Sequence, residues 1–170
     1  MDGLRHGRID TELGELVVVA RDEALTGVYF PGHWTLPEPD AFGEPAQASA
    51  DPVISVVAEQ LDDYLAGERR EFEVPVRTDG DDFSQRVWAL LREIPYGETT
   101  TYGALAEHLG NRHLAQRVGQ VVGRNPVSIV IPCHRVVGSD GSLTGYAGGL
   151  ERKRHLLELE DPTTAESRLF

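Results

Sequence analysis

The stretch Thr99-Thr100-Thr101-Tyr102-Gly103-Ala104-Leu105-Ala106-Glu107-His108-Leu109-Gly110-Asn111-Arg112-His113-Leu114-Ala115-Gln116-Arg117-Val118-Gly119-Gln120-Val121-Val122-Gly123-Arg124 breaks into two helical segments around a glycine. The threonines offer N-caps for a short helix through Leu105, Ala106 and Leu109, and Gly110 closes it. After a brief turn, Leu114, Val118, Val121 and Val122 recur at helical spacing, which predicts a second helix from about Arg112 to Arg124. At roughly 100° per residue, His113, Gln116, Arg117, Gln120 and Arg124 gather on the opposite side. A short helix, a turn and a helix with a basic outer stripe form a helix-turn-helix pattern whose second helix would read a groove. Gly119 and Gly123 each cost a helix interior about 1 kcal/mol relative to alanine. That cost makes sense where a phosphate strand or a packed helix must approach the backbone closely.

Upstream, Asp82 with Gln85 three residues on predicts the start of a helix with Phe83, Val87, Leu90, Leu91 and Ile94 inward. Pro95-Tyr96-Gly97 ends it. Downstream of Asn125-Pro126, Val127 to Ile131 predicts a short buried strand that delivers Pro132-Cys133-His134 at its end. Val136 to Tyr146, with Asp140-Gly141 at the middle, predicts a β-hairpin. Gly145-Tyr146-Ala147-Gly148-Gly149 is a tight loop suited to bordering a pocket. A last helix from about Leu150 to Glu160 turns Leu156, Leu157 and Leu159 inward.

The first part of the chain reads differently. Leu16 to Ala20 and Leu25 to Phe30 are β-rich runs joined by polar Arg21-Asp22-Glu23, a hairpin signal. The proline-rich run Pro31 to Pro52 predicts a long surface loop. Val53, Val57, Leu61, Tyr64 and Leu65 predict an amphipathic helix that stops near Gly67. Phe72, Val74 and Val76 alternate as a strand. The polar run Thr78 to Asp82 marks a boundary, giving domains 1–79 and 80–170.

At 170 residues with 40% hydrophobic side chains, the chain can bury a core. The net charge of −12 argues against nucleic acid until its distribution is considered. Met1 to Gly80 holds 6 Lys/Arg against 17 Asp/Glu, whereas Asp81 to Phe170 holds 10 against 11. Between Asn111 and His155 seven bases (Arg112, Arg117, Arg124, Arg135, Arg152, Lys153 and Arg154) face two acids, Asp140 and Glu151. Such a stretch supplies a phosphate-facing surface on an acidic protein. The stripe and its flanks single out Arg112, Gln116, Arg117, Gln120, Arg124 and Arg135 as the DNA-contacting candidates. A single cysteine forms no internal disulfide, and the charged start from Met1 to Ile9 lacks an apolar leader core, so a cytoplasmic protein is expected. No apolar run approaches the ~20 residues that cross a bilayer. The six histidines lack metal-ligand spacing, so no metal or cofactor is expected.

That one cysteine, Cys133, lies in Ile131-Pro132-Cys133-His134-Arg135-Val136. A thiol reacts as its thiolate, and here an imidazole and a guanidinium stand beside it. Adjacent Cys and His side chains point to opposite faces of an extended chain. A bend or an intervening water is therefore needed if His134 is to take the thiol proton, and Glu160 is a candidate to orient the imidazole.

These six residues resemble the active-site signature of the O6-alkylguanine-DNA alkyltransferases, also called methylated-DNA–protein-cysteine methyltransferases. The resemblance extends over Phe83 to Trp88, Ile94 to Thr99, Tyr102, Asn125-Pro126, Gly145-Tyr146 with Gly148-Gly149, and Lys153 to Glu160. It covers the first part more loosely, through Leu13 to Leu16 and the Leu25 to Phe30 run. It implies an α+β protein, with an N-terminal ribonuclease-H-like α/β domain before a C-terminal winged helix-turn-helix domain. It also implies single-turnover repair of O6-alkylguanine, and of O4-alkylthymine, in double-stranded DNA. The alkyl group would pass to Cys133, with no cofactor and no protein partner, and the damaged base would be flipped out of the stack. In that scheme His134, through a water and backed by Glu160, accepts the thiol proton. Tyr102 assists the departing guanine, and Asn125 braces the active-site turn. Val136 and the Tyr146, Ala147, Gly148 loop shape the pocket. Two positions depart from the family pattern: Gln116 stands where relatives carry an arginine that fills the vacated base position, and Ala147 stands where many have serine. A helix-turn-helix sensor without transfer chemistry is the competing reading, against which Cys133 counts. A cysteine hydrolase would need an oxyanion hole that the sequence does not offer.

Overall fold

The computed structural model describes residues 3–32, 38–143 and 145–162. The chain divides into two compact units, Met1–Thr78 and Asp79–Phe170. Residues 33–37 of the proline-rich loop and residue 144 of the expected hairpin lie outside the described residues.

In the first unit, strands β1 (Leu4–Thr11), β2 (Gly14–Arg21), β3 (Ala24–Tyr29) and β4 (Glu44–Pro45) form one sheet in the order β3-β2-β1-β4. The β2–β3 pair is the expected hairpin. β1 was not legible in the sequence, because Arg5, His6, Arg8 and Asp10 hide its alternation. It runs antiparallel to β2 in the register Leu4↔Arg21 to Thr11↔Gly14, and β4 adds a short parallel pairing on its other side. β2 is apolar on both faces because both are covered. Gly7, paired with Val18, faces helix α1 (Pro52–Leu65), where a Cβ would lie 3.2 Å from Ile54 Cγ2. Val17, Val19 and Tyr29 pack with Phe42, from a 3-10 turn within the proline-rich segment, on the opposite face.

α1 begins where Asp51 accepts from the amides of Val53 (2.9 Å) and Ile54 (3.0 Å), with Pro52 at the first helical position. The same carboxylate accepts from Arg5 Nε at 2.6 Å and Nη2 at 3.1 Å, which ties α1 to β1. The Arg5 hydrogen bond holds the Asp51 carboxyl below its usual range. Asp51→Ala is expected to cost about 2–3 kcal/mol, since a helix cap and a charged hydrogen bond are lost together. Asp51→Asn should cost less because it still caps. Urea unfolding midpoints of the two variants check this order.

The expected strand Phe72–Val76 is not a strand. It makes one isolated bridge, Leu25↔Val76, flanked by Leu25 N to Pro75 O (2.8 Å) and Arg77 N to Leu25 O (2.9 Å). Pro75 has no N–H to extend a ladder. On the other side a side chain stands in for a strand, as Gln60 of α1 bonds both backbone groups of Glu73.

The second unit holds α2 (Asp82–Arg92), β5 (Thr100–Thr101), α3 (Tyr102–His108), α4 (Ala115–Gly123), β6 (Val136–Val137) and α5 (Leu150–Glu160). The cap of α2 is Asp81, one residue before the expected Asp82. Asp81 is extended and its carboxylate accepts from Ser84 N at 2.8 Å. Thr101 caps α3 through Ala104 N, and Asn111 opens a 3-10 turn, Arg112–Leu114, that leads into α4. The helix-turn-helix is therefore present. Buried Val118, Val121 and Val122 face inward, and Trp88 Nε1 donates to Val121 O at 3.0 Å, fastening α2 to α4.

Two further expectations change. Val127–Ile131 is a buried turn rather than a strand, for reasons that belong to the site. Val136–Tyr146 is not a two-stranded hairpin among the described residues, because β6 pairs in parallel with β5 instead. The chain then turns tightly through Gly138–Ser142. On α5, Leu156 and Leu157 are buried as expected, but Lys153 and Glu160 join them while Leu159 is half-buried.

Candidate active site and nucleic-acid face

Asn125 explains why five apolar residues make a turn. Its Oδ1 accepts from Val127 N at 3.0 Å and its Nδ2 donates to Ile131 O at 2.8 Å. Ile131 N then reaches Val127 O at 2.9 Å, closing the loop. Ile129 sits at φ 71°, an uncommon conformation for a β-branched residue, inside this buried turn. The turn delivers Pro132 and then a 3-10 turn, Cys133–Arg135, so the chain is bent rather than extended at Cys133 and His134.

Cys133 is 6% exposed, and His134 is fully buried. His134 Nε2 lies 2.7 Å from Glu160 Oε2. A carboxylate only accepts, so Nε2 carries the proton and Nδ1 keeps its lone pair. Nδ1 is buried and has no hydrogen-bond partner among the described residues. Glu160 is also gripped by Arg135, through Nε to Oε1 at 2.7 Å and Nη2 to Oε2 at 2.9 Å, and Arg135 Nη1 donates to Ile94 O. Burial pushes Glu160 up, but the bonds from His134 and Arg135 more than offset it and hold the carboxyl well below the usual range. Burial pushes His134 down, so the imidazole is neutral at neutral pH.

The Cys133 thiol is pushed up by burial, against opposing contributions from Asn125, the Lys153 charge and the Tyr146 hydroxyl. At rest it is a thiol that needs a base. Lys153, fully buried on α5, was not singled out as a site residue, because one lysine among Arg152, Lys153 and Arg154 looks like surface charge.

His134 and Glu160 both have folded pKa values below their ordinary 6.5 and 4.5. The unfolded chain therefore binds more protons as pH falls, and stability is lost on acidification. The contribution of His134 is complete above about pH 6.5 and declines below it, and that of Glu160 declines below about pH 4.5. Thermal melts are expected to show Tm falling through these two windows. A Tm unchanged from neutral pH into the acid range would contradict the buried pair.

His113, Gln116, Gln120 and Arg124 are exposed, as the helical spacing predicted, and Arg112 beside them is exposed near Glu107 at 3.4 Å. Arg117 is exposed too, but its guanidinium stacks on Phe83 of α2, 3.8 Å from the ring centroid. It is held against α2 and does not stand in for the residue at Gln116. Arg135 corrects the sequence reading. The basic stretch places it among the DNA-facing cations, yet it is 7% exposed and committed to Glu160 and Ile94 O. Val136, Tyr146, Ala147 and Gly148 are buried, and Tyr102 is half-buried with Gly119 next to its ring. Among the described residues no group of three or more metal-binding side chains gathers, and no helix is long and apolar enough to cross a membrane.

Two family descriptions match the two units: "6-O-methylguanine DNA methyltransferase, DNA binding domain" over residues 82–162, and "6-O-methylguanine DNA methyltransferase, ribonuclease-like domain" over residues 4–78. The chain belongs to the 6-O-methylguanine DNA methyltransferase family. It is 43% identical over 165 residues to the methylated-DNA–protein-cysteine methyltransferase of Mycobacterium tuberculosis, with 92% of each chain covered. It is 40% identical over 152 residues to that of Methanosarcina acetivorans, with 89% of this chain and 94% of the relative covered. Among solved structures it is similar to the Mycobacterium tuberculosis O6-methylguanine methyltransferase, with TM-score 0.83 and 41% identity, covering 94% of this chain and 93% of that one. The same organism's protein in complex with DNA gives TM-score 0.82 and 40% identity over 93% of each. The expected α+β architecture, a ribonuclease-like domain before a DNA-binding domain, is thus that of the 6-O-methylguanine DNA methyltransferases.

Proposed function

We propose that this chain repairs O6-alkylguanine in double-stranded DNA by moving the alkyl group onto its own Cys133, once per molecule. The observation that carries this is the pairing of a buried thiol with an adjacent neutral imidazole. That imidazole's Nδ1 has no hydrogen-bond partner among the described residues, and its Nε2 is fixed on an ionised carboxylate. His134 Nδ1, through a water, takes the thiol proton, and Glu160, kept ionised by Arg135, stabilises the imidazolium that forms. The sulfur attacks the alkyl carbon in line, forming a C–S bond as the C–O bond breaks. The electron pair goes to O6 of the guanine; the Tyr102 hydroxyl gives its proton to the base, leaving neutral guanine, and is reprotonated from solvent as the His134 imidazolium releases the thiol's proton. O4-alkylthymine presents the same alkyl–oxygen bond and is a second substrate.

Because the sulfur is buried, the base must leave the stack to meet it, at a cost of a few kcal/mol that a damaged pair lowers. Arg112, Gln116, Gln120 and Arg124 supply the DNA face. With Gln116 in place of the family arginine, the vacated position is filled by an amide, and extrusion of a well-paired base is expected to be slow. Thioether formation is irreversible without a further reagent, so repair should plateau at one guanine per protein. Titrating an O6-methylguanine duplex with the protein tests this. Repair that continues past equivalence would overturn it.

Arg112→Ala and Arg124→Ala are expected to weaken DNA binding. Each should reduce the slope of log affinity against log salt by about 0.9 as one phosphate contact is lost. Fluorescence anisotropy across a salt series checks this, and an unchanged slope in both would remove the proposed face.

A further inference from the structure

Arg152 lies in the first turn of α5, where a cation opposes the helix dipole. Its side chain turns back toward the preceding loop, and Nη1 donates to the Gly148 carbonyl at 2.9 Å. α5 has no capping side chain there, because its cap position is Gly149 at φ 95°. The loop it meets, Gly145 to Gly149, closes on itself through Gly149 N to Tyr146 O at 2.9 Å and buries Tyr146, Ala147 and Gly148. The Tyr146 hydroxyl lies near both the Cys133 sulfur and Ser128, which is 1% exposed. Three of the five loop residues are glycines, so the loop's own backbone offers little stiffness. Its shape depends on what holds it.

We propose that Arg152 is a positioning residue that straps the Gly145–Gly149 loop to α5 and so sets the width of the space beside Cys133, limiting which alkyl groups reach the sulfur. This rests on alkyl transfer to Cys133 as proposed above. A methyl group makes few contacts and reacts only if the loop holds the base in line, so it is sensitive to loosening. A bulky group is limited by room, so loosening offsets its disadvantage. A residue that merely supported the fold would slow both substrates alike.

The test is single-turnover transfer by the full chain from duplexes carrying O6-methylguanine or O6-benzylguanine, comparing wild type, Arg152→Met and Arg152→Lys. In Arg152→Met the benzyl-to-methyl rate ratio is expected to rise about tenfold, with most of the change in methyl transfer. Lysine replaces the planar fork by one flexible donor, so Arg152→Lys should shift the ratio in the same direction by about threefold. Should the methionine variant lose its fold, the lysine variant still decides. A ratio equal to wild type in every variant that folds overturns the strap. The wild-type methyl rate separates the two ideas: a wild type that never acquires an alkyl group sinks the function, whereas normal wild-type transfer with unshifted ratios sinks the strap alone.

Discussion

Arg135→Met is expected to destabilise the second unit by about 3–5 kcal/mol, the cost of stranding a buried carboxylate. Glu160 is nearly inaccessible as a side chain (1%) and accepts from Arg135 at both of its oxygens, beside its bond to His134. Methionine also leaves Ile94 O without its donor. Glu160 should then titrate upward, because burial is the largest influence on it and already pushes in that direction. A protonated Glu160 stabilises an imidazolium poorly, so transfer should slow and its pH profile move to higher pH. The double variant Arg135→Met/Glu160→Leu separates stability from chemistry. Replacing the whole pair by apolar side chains should recover much of the stability but none of the rate. Urea unfolding and single-turnover rates measure the two quantities. A single variant as stable as wild type would contradict the buried network.

The second large effect is expected at Asn125, 2% exposed. Asn125→Ala strands Val127 N and Ile131 O inside the turn, at about 1–3 kcal/mol each. It also removes one of the influences that oppose the upward push on the Cys133 thiol. Stability should fall by about 2–4 kcal/mol, and the rate should rise with pH over a higher range than in wild type. Asn125→Asp keeps an acceptor for Val127 N but cannot donate to Ile131 O when ionised. It also sets a negative charge beside the sulfur, so its rate should lie below that of the alanine variant. An aspartate variant faster than alanine would remove Asn125 from the environment of the thiol.

How far the sequence could be read follows from where the information sits. The helix-turn-helix was legible because its signals are local: threonine and asparagine caps, a closing glycine and a 3.6-residue apolar period. The short Pro-Cys-His-Arg signature was legible because so few residues carry the chemistry. Where tertiary hydrogen bonds override propensity, the reading failed. Val127–Ile131 has the composition of a strand, yet Asn125 folds it into a turn. Phe72–Val76 alternates like a strand, yet Pro75 and Gln60 allow only a bridge. β1 is polar along much of its length and is recognisable only beside β2. Arg135 reads as surface charge in a basic stretch, and only the position of α5 shows that it belongs to Glu160. Lys153 was missed for the same reason.

The most direct measurement is intact-mass spectrometry, followed by peptide mapping, after incubation with a duplex carrying one O6-methylguanine. The account predicts a gain of about 14 Da per molecule, on the peptide containing Cys133, and no gain in Cys133→Ser. A repaired duplex alongside a protein of unchanged mass, or an added methyl on any residue other than Cys133, would contradict it.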